Sequence, residues 1–367
     1  MSHSLIGAPI SEIDTPALLI DLEIMEHNID LMSQYFATVN ADLRPHYKTH
    51  KTPIIAHKQL EAGAIGVTCA KLGEATTLVE AGIKNVLIAN QVVGTPKIER
   101  LISLANHSDI IVAVDNPKNV AALSKAASEK GVTLNVLVEV NVGNNRCGVG
   151  PKGPALSLTR EVLRSKGLNF RGLMGYEGFC VGIKEYEKRK TITEQAITLL
   201  VETKHELEGV GIDVEIVSGG ATGTYNITGE FPEVTEVEAG SYVVMDTMYK
   251  KIQGIHDFGY AMTLLTTVIS HPTSSRALTD AGIKSIAHEF GMPAVKELEG
   301  IKVTRLAEEH TWLELEGGAT REIEVGNKIE LIPSHCCTTT NLHDWFYAVR
   351  NGRIEAIWNI AARGKFQ

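Results

Sequence analysis

Four short stretches of the chain concentrate the side chains that can do chemistry. The run RPHYKTHK (44–51) sets Lys48 among Arg44, His46, His50 and Lys51. Crowded positive charge disfavours an ammonium ion, and an amine must be neutral to condense with a carbonyl. The same run also reads as a solvated basic loop. SGGATGTYN (218–226) follows an apolar run. Its glycines let the backbone close on an anion, and successive N–H groups with Ser218, Thr222, Gly223 and Thr224 can cradle a phosphate. It lacks the lysine of the GxxxxGK[ST] loop, which disfavours a nucleoside triphosphate. An ordinary tight turn has the same composition.

VNVGNNRCGVG carries Arg146 in a glycine-rich loop beyond another apolar run. A guanidinium there can face a ring nitrogen and hold it unprotonated, or serve as a surface cation or a partner for Glu139. PSHCC (333–337) brings His335 and Cys337 to a spacing of two, in a run that also holds His343. In an extended segment residues two apart share a face, which puts Cys336 on the other. Imidazole with thiolate favours zinc, with manganese, cobalt or magnesium as further candidates. Two protein ligands leave positions open for a substrate. Buried, inert cysteines are the plainer reading.

These stretches need elements to position them. Short β-branched runs at 43–48, 66–70, 86–90, 110–115, 134–141, 171–176, 214–218 and 235–240 read as strands. Between them, 54–62, 73–81, 117–129 and 186–208 read as helices, several ending at a glycine that can supply a left-handed cap. Alternation of this kind predicts parallel βαβ units, and the number and span fit an α/β fold built as a (β/α)8 TIM-like barrel. A doubly wound sheet has the same alternation, but its GxGxxG signature is missing. Catalytic groups gather at the C-terminal ends of barrel strands. There the sequence places Lys48, Asn90, Arg146, Tyr176 and the run Ser218–Thr224, a set suited to an aldehyde cofactor carrying a phosphate.

After residue 258 the texture changes to closely spaced strand-like runs: TLLTTVISHP, GIKVTRLAEEH, TWLELEGG and EIEVGNKIELIPSH. Asn351-Gly352 between alternating apolar runs is a hairpin signal. The division expected is a barrel over 15–258 and a mostly β domain over 259–367, to which 1–14 could add a strand. The formal charge of −9 disfavours nonspecific attraction to nucleic acid or anionic membrane. Five scattered cysteines do not make a disulfide framework. The chain start lacks a signal-peptide pattern, and no stretch approaches the roughly 20 apolar residues of a membrane span. These features point to a cytoplasmic protein.

Taken together and in this order, RPHYKTHK, NRCGV, GLMGYEG, SGGATGTY, EAGSYVVMD and PSHCCTTTNLHD, closing on IAARG, resemble the D-threonine aldolase and D-serine dehydratase family over nearly the whole chain. The resemblance implies an alanine-racemase-like barrel followed by a β domain. It also implies pyridoxal 5′-phosphate, a divalent metal beside it, and a homodimer whose site borrows from the partner. It makes Lys48 the Schiff-base lysine and sets Tyr176 and Arg146 against the pyridine ring. Ser218 and Thr222 to Thr224 fall near the phosphate, and His335 with Cys337 on the metal.

The implied activity is a lyase on D-3-hydroxy amino acids. Retro-aldol cleavage of D-threonine-like substrates to glycine and an aldehyde leads. Dehydration of D-serine or D-threo-3-hydroxyaspartate to a 2-oxo acid and ammonia is the alternative. Racemisation ranks third, because a metal that holds a β-hydroxyl has no use in it. A non-catalytic pyridoxal phosphate carrier would be a single barrel, against which the segment after 258 argues. The chain departs from the family's aldolases in two places. They often carry His-x-Asp at the metal, where this chain has His335-x-Cys337, and a histidine six positions after the tyrosine, where this chain has Gly182. His50 is a candidate base or a supporting hydrogen-bond partner.

Overall fold

A computed structural model describes residues 5–317 and 323–367 of the chain. Its contacts divide the chain into two compact units. One comprises 32–48, 53–240 and 364–367, the other 1–31, 49–52 and 241–363. The sequence division at 258 therefore differs from the contacts at both ends. The first strand, β1 (Ala17–Asp21), belongs to the second unit, because it pairs antiparallel with β10 (Met262–Thr273) and parallel with β16 (Trp345–Arg350).

The first unit is the barrel. Its strands are β2 (Asp42–Leu43), β3 (Val67–Cys69), β4 (Asn85–Gln91), β5 (Asp109–Val114), β6 (Leu134–Glu139), β7 (Leu168–Gly175), β8 (Ile216–Gly219) and β9 (Glu236–Val237). They are all parallel, in the order β2-β9-β8-β7-β6-β5-β4-β3. The ends of that order also meet: His46 bridges Thr68 in parallel, and Thr68 N donates to the Pro45 carbonyl at 3.0 Å. The sheet closes on itself, which leaves no edge strand. Strands such as β5 (DIIVAV) and β6 (LNVLVE) are buried on both faces, as parallel strands under a helical layer must be. Leu87, Ile111, Ala113, Leu137, Met174 and Ile216, from five successive strands, form one cluster without a helix residue. That is the inward-facing layer of a filled barrel.

The expected helices are Pro53–Glu61, Leu72–Glu80, Pro117–Lys130 and Tyr186–Glu208. Gly131 supplies the left-handed cap expected of it, with φ 66°. Gly209 does not: it continues right-handed, and the reversal waits for Gly211 at φ +81°.

The second unit is a mixed sheet, in the order β13-β14-β11-β10-β1-β16-β17 among the described residues. Here β11 is Arg276–Thr279, β12 Ala294–Val295, β13 Ile301–Leu306, β14 Thr311–Leu315, β15 Lys328–Ile332 and β17 Arg353–Asn359. Strand β15 pairs with β10 and β12. The run EIEVGNKIELIPSH is a strand only from Lys328. Its first residue, and the last of TWLELEGG, lie outside the described residues. Asn351 and Gly352 have φ of 51° and 70°, the turn that joins β16 to β17. Both central residues at positive φ match the right-handed twist of a two-residue hairpin. Among the described residues no helix is long and apolar enough to cross a membrane.

Candidate active site

Lys48 lies in a single 3-10 turn, Tyr47–Thr49, beyond β2. A buried ion pair pins the chain just before it. Arg44 Nε and Nη2 donate to Glu236 Oε2 at 2.9 and 2.8 Å, and Nη1 donates to Asn85 Oδ1 at 2.7 Å. The cationic crowding expected around Lys48 is therefore weaker than its spacing suggests. One of the four positive neighbours is neutralised by a carboxylate far away in sequence.

Beyond β7, Tyr176 collects two of the predicted residues. Lys48 Nζ stands 5.9 Å and Arg146 Cζ 5.2 Å from the centroid of its ring, within the range of cation–π attraction. Arg146 also acts on Glu139 at the end of β6. Burial pushes that carboxyl up, while a hydrogen bond from Gln91 Nε2 and the Arg146 charge hold it back. Donor atoms of Asp115, Glu139 and Cys147 lie within 4.8 Å of one another, and Gly148 N donates to Asp115 at 3.0 Å. This acidic group lies within the reach of the Arg146 charge, which agrees with the pairing to Glu139 that the sequence offered.

The glycine-threonine turn follows β8. Gly223 is held against the chain: a Cβ there would lie 2.6 Å from the Val181 carbonyl oxygen. Ser218 Oγ donates to Glu238 Oε1 at 2.9 Å. Thr224 Oγ1 donates to Glu177 Oε1 at 2.7 Å and accepts from Ala221 N at 3.1 Å. The proton of Thr224, expected to face an anion, is thus committed to Glu177. Ser218, Thr222 and Thr224 are buried.

Three acids of the two units escaped the sequence reading: Glu177, Glu238 and Glu289. Glu238 lies one residue beyond β9. Burial pushes its carboxyl up to about 8, with Glu236 adding and the Ser218 hydrogen bond, Lys48 and Arg44 opposing. The signal available was the acidic pair in TEVEAG, at the end of an expected strand.

In the second unit, His335 is extended (φ −147°, ψ 116°), but it caps a short helix, Cys336–Thr340. The extended segment expected through Cys337 stops there. The helix still brings the pair together: burial lowers the His335 pKa, but the hydrogen bond and charge of Cys337, with Glu289 and Asp246, push it up to about 9. Its Nδ1–H donates to Glu289 Oε1 at 2.6 Å, and Thr338 Oγ1 donates to the same oxygen. Nδ1 is thereby engaged, which directs Nε2 to any metal. Cys337 Sγ lies 3.5 Å from Thr49 Oγ1. Cys336 is fully buried, with Sγ 3.3 Å from Asp246 Oδ2. Among the described residues no third histidine, cysteine or carboxylate joins His335 and Cys337 in a three-donor group. The imidazole and thiolate fit a divalent ion that keeps open positions. His343 turns away to the Ser285 carbonyl at 2.7 Å. His50 is buried, and its Nδ1 accepts from Thr52 N at 3.3 Å, which ties down its own turn.

A family model described as alanine racemase, N-terminal domain, matches residues 20–248, and one described as putative serine dehydratase domain matches 261–349. A D-threonine aldolase of Arthrobacter sp is 38% identical over 98% of this chain and 95% of its own. The chain belongs to the D-threonine aldolase and D-serine dehydratase family. The solved structure of D-threonine aldolase from Filomicrobium marinum is 38% identical to this family member, with a TM-score of 0.96 over 99% of this chain and 98% of that one. D-threo-3-hydroxyaspartate dehydratase from Delftia sp. HT23 is 27% identical, with a TM-score of 0.87 over 96% and 98%. A variant of that dehydratase is described in a metal-free form.

Proposed function

We propose that this family member is a pyridoxal 5′-phosphate- and divalent-metal-dependent lyase that cleaves D-threonine-like D-3-hydroxy amino acids to glycine and an aldehyde. The observation that carries the reading is the gathering of the Lys48 amine and the Arg146 guanidinium on the ring of Tyr176. Bound pyridoxal phosphate supplies an electron sink for the breaking bond, and a bound divalent ion supplies a Lewis acid for the β-hydroxyl. Lys48 would hold the aldehyde carbon of the cofactor. Arg146 would serve the ring nitrogen, with the nearby Glu139 carboxyl opposing its charge. The turn after β8 holds the phosphate, with Gly223 keeping it close-packed. His335 Nε2 and Cys337 hold the metal, zinc or manganese before others. Greater identity to the aldolase than to the dehydratase supports cleavage over dehydration. The five free cysteines fit a reducing, cytoplasmic setting, and a homodimer is the assembly proposed.

Dehydration to a 2-oxo acid and ammonia is the second reading, favoured by Cys337 at the metal pair and by Gly182 beyond Tyr176. Metal-loaded protein incubated with D-threonine, D-serine and D-threo-3-hydroxyaspartate separates them. Glycine plus aldehyde supports the proposal, and 2-oxo acid plus ammonia as the sole products replaces it. A Cβ at Gly182 meets nothing within 4 Å, so the backbone there accepts a side chain and Gly182→His is a practicable variant. It is expected to raise the ratio of aldehyde to 2-oxo acid.

A further inference from the structure

Glu177 is fully buried, one residue beyond Tyr176, and no positive side chain pairs with it among the described ion pairs. Its carboxylate instead accepts three hydrogen bonds from the turn after the neighbouring strand. Gly220 N donates to Oε2 at 3.1 Å, and Thr224 Oγ1 and Thr228 Oγ1 each donate to Oε1 at 2.7 Å. Burying an unpaired carboxylate is costly unless several donors converge on it. Its donors span the glycine-threonine turn from Gly220 to Thr228, and its backbone continues directly from the tyrosine that collects Lys48 and Arg146. On the far side of the same turn, Gly223 is packed on the Val181 carbonyl.

We propose that Glu177 is the positioning residue of the cofactor cradle: it locks the phosphate-binding turn to the chain that carries Tyr176. The inference rests on the reading of pyridoxal phosphate as the cofactor. With Gly220 N and the Thr224 and Thr228 hydroxyls donating to Glu177, and Ala221 N and Thr224 N bonded within the turn, the turn is fixed in one conformation, and the remaining backbone N–H groups meet the anion in that arrangement. Those hydroxyls cannot compete for it. Preorganised donors bind more tightly because nothing is ordered on binding.

The sign of the effect separates this role from simple electrostatics. A buried negative charge beside a phosphate site would weaken anion binding, so neutralising it would tighten the site. A positioning carboxylate predicts the reverse. The test measures dissociation constants of the apoprotein for pyridoxal phosphate and for pyridoxal, which lacks the phosphate, with unfolding midpoints of each apoprotein alongside. Glu177→Gln is nearly isosteric, but it places an NH2 against groups that now donate. It is expected to weaken pyridoxal phosphate several-fold and leave pyridoxal unchanged. Glu177→Ala is expected to weaken it tenfold or more. Thr228→Val, which removes one donor, is expected to shift affinity in the same direction by less and keeps the test open if Glu177→Ala does not fold. Tighter or unchanged pyridoxal phosphate binding in Glu177→Gln overturns the proposal. Equal loss for both ligands also overturns it, because a merely structural role would not distinguish them. A wild-type protein that binds neither ligand overturns the cofactor reading itself.

Discussion

Lys48 shares its neighbourhood with other lysines, and their surroundings separate them. Lys51 sits at φ 53° with its carbonyl accepting from Ala362 N, and Lys71 N donates to Glu74 at the start of a helix. Only Lys48 stands by the Tyr176 ring among these three. Borohydride treatment of the yellow holoprotein is expected to bleach its visible absorbance and leave a peptide adduct on Lys48. Mapping the adduct to Lys51 or Lys71 would remove the assignment. Glu238 gives a pH signature. Its carboxyl is raised from an ordinary 4.5 to about 8 in the fold, so the unfolded chain loses the proton first. The unfolded state then binds fewer protons between those values, and stability falls as pH rises through them. Glu238→Gln should be nearly neutral in the apoprotein at pH 4. At pH 8.5 it should be stabilising by about 1–3 kcal/mol, discounted for partial exposure, as read by denaturant melts. A stabilisation that is the same at both pH values would show that Glu238 ionises freely in the fold.

At the scale of elements, the short helix Cys336–Thr340 sets the metal pair. His335 at its cap and Cys337 in its first turn meet, while Cys336 turns inward to Asp246. Equilibrium dialysis with zinc checks this register. Cys337→Ser should abolish tight binding, and Cys336→Ser, which keeps a donor for Asp246, should leave it intact; the opposite pattern would refute the geometry. Glu289→Gln keeps the shape at Nδ1 of His335 but loses the charge that makes the ring a better ligand. It should weaken zinc about tenfold or more, within the range seen when such supporting carboxylates are removed. Zinc affinity within twofold of wild type would show that Glu289 does not orient the ring.

At the scale of the whole molecule, the cofactor residues belong to the barrel unit and the metal pair to the β unit. Exhaustive chelation should therefore abolish lyase turnover while the visible absorbance of the holoprotein persists. Turnover that survives chelation would take the metal out of the reaction and bring racemisation forward. The barrel was legible in the chain because its code is local. β-branched runs buried on both faces, helices of opposite period and glycines between them depend on neighbours a few residues apart. The chemistry-bearing types, Lys48, Arg146, Tyr176, His335 and Cys337, were legible for the same reason: each ends a run that its own composition defines.

The sequence by itself thus determined that eight parallel strands alternate with helices, though the first, expected over 43–48, is only Asp42–Leu43 before a 3-10 turn, and it determined the hairpin at Asn351-Gly352. Tertiary structure alone decided how their charges and protons are spent. Arg44 is paired with Glu236, Thr224 donates a hydrogen bond to Glu177, Ser218 donates one to Glu238, and His335 donates one to Glu289. Each of those partners lies tens of residues away, and no periodicity encodes a meeting that exists only after the chain folds back. Burial then sets the strength of each contact, because a carboxyl behaves as acid, acceptor or anchor according to the water and donors left around it.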